Sequence, residues 1–169
     1  MKKRALIITG KYVQDHEYIY PYYRLQEAGF KVDVAIKNKE IVLGVNGTKV
    51  VPTKDTTNLR VSDYDLLIIP GGAKCMEYLR QEKTVIDFIS KFAKAGKVIA
   101  AICHGSQMLI SAKIVKGKKV SGYYSIRDDI ENAGANYIDA PSVIDGKLVT
   151  SPHYKYLPQW MRDTLEFFK

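Results

Sequence analysis

A cysteine at the end of a buried strand carries the most reactive chemistry in this sequence. Val98–Ile102 is wholly apolar and runs into Cys103-His104-Gly105, after which Ser106–Ser111 has the pattern of a helix. A tight strand-to-helix turn holds its central side chain above the sheet edge, often on a strained backbone. Such a turn needs small neighbours, and Ala101 and Gly105 stand at −2 and +2. A thiol beside a helix N-terminus is expected to ionise below its reference value of roughly 8.5. Taken alone, Cys103 would be a small buried hydrophobe. Its place at the strand end points to a nucleophile.

Two other strand ends could complete a site. Leu66–Ile69 closes on Pro70-Gly71-Gly72. Glycines there let backbone N–H groups turn toward a ligand and form an oxyanion hole, or they make a plain turn. The loop Gly10–His16 follows the first strand and ends at Glu17. A carboxyl group that reaches a thiolate resists ionisation, and can then donate a hydrogen bond to sulfur or move a proton. Glu17 is equally suited to the first turn of a helix, where the dipole favours a carboxylate. Spacing leaves both roles open.

The elements that must position these residues alternate. Arg4–Thr9 is a strand, Tyr18–Ala28 a helix with Pro21 near its start and Gly29 as its stop, and Lys31–Ile36 a strand. Val42–Val45 and Thr48–Val51 flank Asn46-Gly47, a hairpin signal. After Leu66–Ile69, apolar residues at Val85, Ile86, Ile89, Phe92 and Ala93 predict an amphipathic helix over Thr84–Ala95. Val143–Asp145 and Leu148–Thr150 flank Gly146-Lys147 as a second hairpin. Leu157–Phe168 is a closing helix with Pro158 in its first turn. The expectation is one α/β domain over residues 1–169 around a mostly parallel sheet.

Composition narrows the function. The chain has 169 residues, 46% hydrophobic and 26% charged, which excludes a disordered or fibrous protein. Lys+Arg minus Asp+Glu is 26 − 18 = +8. The lysines are scattered, however, and the densest group is Lys116, Lys118 and Lys119, so a solvated face is expected and nucleic acid is not. The longest apolar stretch, Val98–Cys103, falls far short of the roughly 18 residues of a membrane span. Met1–Arg4 followed by Ala5–Ile8 imitates a signal start, but the apolar part ends at Thr9. Two cysteines, Cys75 and Cys103, are too few for a disulfide framework, so a reducing, cytoplasmic location is expected. Cys75 is expected to be buried rather than a resolving thiol. His16 and His153 have no metal-ligand spacing, and neither GxxxxGK[ST] nor GxGxxG occurs, so no metal and no cofactor is expected.

Ile102-Cys103-His104-Gly105, with Pro70-Gly71-Gly72 and Glu17-Tyr-Ile-Tyr-Pro21, resembles the PfpI family of intracellular cysteine proteases. That family belongs to the superfamily of the Parkinson-disease protein deglycase and the class I glutamine amidotransferase domains. The likeness extends through Arg24–Gly29, Asp65–Gly72, Ile126–Gly134 and Trp160-Met161. It implies a flavodoxin-like three-layer sandwich, with helices on both faces of the sheet and a small hairpin. It also implies Cys103 as nucleophile, Glu17 hydrogen-bonded to the thiolate, His104 as the neighbouring base, oxyanion donors near Gly71, Gly72 and His104, and Tyr123 in the pocket wall. Members are described as proteases, or as glyoxalases and deglycases acting on methylglyoxal and early glycation adducts. They form dimers that often assemble into hexamers.

The chain departs from that pattern twice. The proteases carry Gly-Gly-Arg-Ala-Pro-Glu, whose Glu orients the His of a neighbouring subunit, whereas here Met76 stands in the acid's place and Glu77 one position later. The family's Ser-Arg-x-Pro-x-Asp-Leu is here Ser151-Pro152-His153-Tyr154-Lys155-Tyr156-Leu157, which brings in a new His and two Tyr residues. The leading expectation is a cysteine nucleophile acting on a small carbonyl or peptide substrate, with the missing Glu favouring aldehydes. The alternative is a redox-sensing or chaperone-like stress protein in which Cys103 is oxidised.

Overall fold

Wholly apolar runs make the middle of the sheet. In the computed structural model, which describes residues 3–169, β5 (Leu66–Ile69) and β6 (Val98–Ile102) are buried along their full length. Strands covered on both faces have this composition. They join β1 (Arg4–Ile8), β2 (Lys31–Ala35), β9 (Val143–Asp145) and β10 (Leu148–Ser151) in one sheet of order β2-β1-β5-β6-β10-β9. Every pairing is parallel except β10 with β9. Helices α1 (Asp15–Glu27) and α6 (Leu157–Glu166) pack together and cover β1, β2, β6 and β10. Helices α3 (Lys83–Lys94) and α4 (Ser106–Ser111) pack together on β6. This is the flavodoxin-like arrangement. No helix among the described residues is long and apolar enough to cross a membrane. Met1 and Lys2, the head of the signal-like stretch, lie outside the described residues.

Several boundaries differ from the sequence reading. Helix α1 begins at Asp15, not Tyr18. Its first turn, Asp15-His16-Glu17, is polar and resembles loop, yet Asp15 and Glu17 are buried. The first hairpin pairs only β3 (Val42–Leu43) with β4 (Lys49–Val50). Four elements carry no legible signal: α2 (Ala73–Leu79), α5 (Arg127–Asn132) and the parallel pair β7 (Lys119–Val120) and β8 (Asn136–Tyr137). They are too short for a hydrophobic period to emerge.

The β3–β4 hairpin is latched over the carboxyl end of β1. The Asn46 and Thr48 N–H groups donate to the two Asp15 carboxylate oxygens at 2.8 Å each. The Tyr12 N–H donates to the Leu43 carbonyl at 2.8 Å, and the Val45 N–H to the Val13 carbonyl at 3.0 Å. Gly44 leaves room for the latch, since a Cβ there would fall 2.6 Å from Asp15 Oδ1.

The latch makes a prediction for stability. Burial pushes the Asp15 carboxyl up, but the Thr48 hydroxyl and the Asn46 and Thr48 N–H groups together favour the ionised form more strongly and hold its pKa below the ordinary 3.8. A depressed carboxyl contributes stability above its unfolded pKa and loses it as pH falls through the folded one. Asp15→Ala should cost about 1–3 kcal/mol near neutral pH. Denaturant unfolding should show that gap to the wild type narrowing as pH falls below the usual carboxylate range.

Candidate active site

The end of β6 sets Cys103 on a strained backbone. Its φ is +59°, a left-handed value that a residue with a side chain adopts at a cost. The next turn presses against β5, because a Cβ on Gly105 would lie 2.4 Å from the Ile69 carbonyl oxygen. Only glycine fits there. The Tyr123 N–H donates to the Cys103 carbonyl at 3.1 Å, which fixes the Tyr123 loop to the same turn.

Glu17 reaches this point from the first turn of α1. Its side chain is fully buried, and Oε2 accepts the Gly71 N–H at 2.7 Å. Its carboxyl lies close enough to the Cys103 thiol to influence its ionisation. Oε1 is buried with no N–H or O–H partner in the protein. A Cβ on Gly71 would lie 2.6 Å from Glu17 Oε2, 2.9 Å from Cys103 Cβ and 2.9 Å from the His104 nitrogen. Glu17 is thus at once a residue of the first helical turn and the thiol's neighbour.

The electrostatics of the pair reverse one expectation. Burial pushes the Glu17 carboxyl up to about 8. Burial also holds the Cys103 thiol well above its ordinary value, and the Glu17 charge adds to this. The N–H groups of His104 and Gly72 donate toward sulfur and oppose the shift, without cancelling it. Burial and the carboxyl thus oppose the depressed thiol pKa expected from the helix end. Helix α4 is only six residues long, and desolvation beside a carboxyl outweighs its dipole.

His104 completes the cluster. Its Nδ1 lies 3.4 Å from Cys103 Sγ, and its Nε2 lies 3.4 Å from the Ser125 hydroxyl. Its ring stacks on Tyr123, with centroids 4.8 Å apart. Burial lowers its pKa, so the ring is neutral near pH 7. A cavity of about 290 Å³ opens over these residues, walled by Glu17, Gly72, Cys103, His104, Tyr123 and His153, among others.

The sequence model of the DJ-1/PfpI family matches residues 3–167. The chain belongs to the DJ-1/PfpI family. It is 37% identical to Deglycase PfpI of Pyrococcus furiosus over 166 residues, 98% of this chain and 99% of that protein. It is 38% identical to YraA of Bacillus subtilis, named as a candidate cysteine protease, over 169 residues and 99% of each chain. The structure of a two-domain protein from Anabaena variabilis, containing dj-1/thij/pfpi-like and ferritin-like domains, superposes with a TM-score of 0.94. That match has 34% identity and covers 98% of this chain and 48% of the other.

Within this DJ-1/PfpI site, the residues singled out in the sequence are brought together, with one correction. Cys103, His104, Glu17, Gly72 and Tyr123 surround one cavity. Gly71 sits at their meeting point, but its N–H is taken by Glu17. It is therefore not free as an oxyanion donor, and the donors directed at sulfur come from Gly72 and His104. Met76 is fully buried in the core on α2, where a glutamate would be an uncompensated buried charge. Glu77 lies on the exposed side of α2, paired with Lys74 at 2.7 Å. Among the described residues, neither ring-nitrogen partner of His104 is a carboxylate. Cys75 is buried, with its thiol pushed up to about 11 by desolvation. Ser125 was missed in the sequence, where only its closeness to Tyr123 could have drawn notice.

The raised Glu17 carboxyl has a measurable consequence. Between its unfolded value near 4.5 and its folded value near 8, the native state holds a proton that the unfolded chain has lost. Stability must then fall as pH rises through that window. Glu17→Gln, which does not titrate, should flatten the dependence. Thermal unfolding from pH 5 to 8.5 should therefore show the variant gaining on the wild type as pH rises.

Proposed function

We propose that this chain is a cysteine-dependent enzyme acting on reactive aldehydes, of the glyoxalase or deglycase kind, with Cys103 as nucleophile and Glu17 as proton carrier. The observation that supports this reading is the buried Glu17 carboxyl set against the Cys103 thiol. Addition of a thiol to an aldehyde forms an S–C bond and moves the thiol proton to the carbonyl oxygen. No net charge is created, so a thiol with a raised pKa is no obstacle when a carboxyl beside it relays the proton. The Gly72 and His104 N–H groups, directed at sulfur, are placed to favour developing negative charge.

With a 2-oxoaldehyde the hemithioacetal can proceed further. Loss of the Glu17 proton to water leaves a carboxylate, which takes the C1 proton while the C1–H electrons shift to form an enediolate. Return of that proton to C2, as the C1 hydroxyl proton passes to the C2 oxygen, leaves a thioester of the 2-hydroxy acid on Cys103. Water then cleaves the thioester and restores the thiol. One water is added overall, and one carbon is oxidised as its neighbour is reduced, so no outside oxidant is needed. The name of the Pyrococcus furiosus relative agrees with aldehyde-adduct chemistry.

Peptide hydrolysis asks more of His104, which must protonate a leaving amine. Losing the carboxylate that orients a catalytic His costs about 10⁴ in turnover in a serine triad. The wild type should therefore consume methylglyoxal measurably while barely cleaving fluorogenic peptides in the same preparation. Cys103→Ser should abolish aldehyde consumption, and Glu17→Gln should reduce it by about 10²–10⁴. Strong peptidase activity without methylglyoxal consumption would overturn the proposal.

A further inference from the structure

The cavity over Cys103 has a second histidine in its wall. His153 belongs to the loop Ser151–Leu157. Its Nδ1 accepts the Lys155 N–H at 3.1 Å. A ring nitrogen that accepts cannot also hold the proton, so the neutral imidazole carries it on Nε2. Burial and the neighbouring Lys155 charge lower its pKa and keep the ring neutral. Aromatic contacts restrain the ring from two sides, a tilted one with Tyr154 at 4.1 Å and a stacked one with Tyr123 at 6.1 Å between centroids. Tyr123 stacks in turn on His104, the neighbour of the thiol. A neutral N–H donor of fixed tautomer thus stands in the same cavity as the nucleophile, and no protein acceptor engages Nε2 among the described residues.

We propose that His153 Nε2–H binds the second oxygen of a vicinal dicarbonyl, the keto oxygen next to the aldehyde carbon that Cys103 attacks. This rests on the aldehyde reading above and adds the feature that selects among aldehydes. As the C1 proton leaves, the keto oxygen becomes the enediol oxygen and gathers charge. A donor held there acts more strongly on that state than on the free substrate. A simple aldehyde has no such oxygen and gains nothing from His153.

The test reads the thiol directly and does not depend on turnover. Iodoacetamide alkylation of Cys103 is followed by mass spectrometry of its peptide, in the presence of methylglyoxal or of propionaldehyde. In His153→Phe, which keeps an aromatic ring but has no N–H, the methylglyoxal concentration giving half-protection should rise about tenfold, roughly the worth of one hydrogen bond. The value for propionaldehyde should stay put. His153→Asn, which can accept from Lys155 and donate to substrate, should recover most of the difference. A shift of the same size for both aldehydes, or none for methylglyoxal, would overturn the role of His153 and leave the aldehyde reading standing. A wild type that neither aldehyde protects would overturn both.

Discussion

At Gly71 three segments of the chain meet without room for a side chain. The first turn of α1 brings the Glu17 carboxylate, the end of β6 brings Cys103, and the following turn brings the His104 nitrogen, all within 2.9 Å of where a Cβ would sit. The contact joins residues separated by 54 positions through one N–H···O bond of 2.7 Å. Gly105 does the same one layer over, against the Ile69 carbonyl. The site exists because the turns after β5 and β6 can approach to backbone contact, and the parallel sheet sets those strand ends side by side.

That closeness sets the electrostatics. A carboxyl and a thiol in one dry pocket cannot both ionise cheaply: burial raises both, the Glu17 charge raises the thiol further, and near neutrality the pair stays protonated. An arrangement of this kind is poorly suited to a free thiolate attacking an unreactive amide. It is well suited to an electrophile that accepts sulfur and proton together. The neutral His104, with a serine hydroxyl and no carboxylate at its far nitrogen, points the same way.

The wall of the cavity is aromatic. Rings run from His104 to Tyr123, then to His153 and Tyr154, and on to His16, with neighbouring centroids between 4.1 and 6.1 Å. All three histidines of the chain stand in this row. Stacking leaves each ring little freedom, so its polar edge is presented in a defined place.

The sequence by itself determined the strands and the place of Cys103 at the end of one of them. Unbroken apolar runs such as Val98–Ile102, short and bounded by turn residues, read as buried strands of a parallel sheet, and the Cys-His-Gly at the end of this one reads as its turn. Gly105 was legible as a small residue that the tight turn needs, and Gly71 only as part of a turn; that both mark close approaches was shown by the fold. Tertiary structure decided what depends on distance between remote segments. Glu17 could serve a helix or a thiol until α1 was seen to carry it beneath Gly71. The Cys103 pKa went the opposite way from the local reading, because desolvation is a property of everything packed around a group, and a short helix end cannot offset it. The fate of the acid opposite His104 turned on which face of α2 Met76 and Glu77 occupy, and α2 is too short for its pattern to say. Ser125 and the tautomer of His153 were likewise settled only by the folding of loops, where no periodicity constrains the chain.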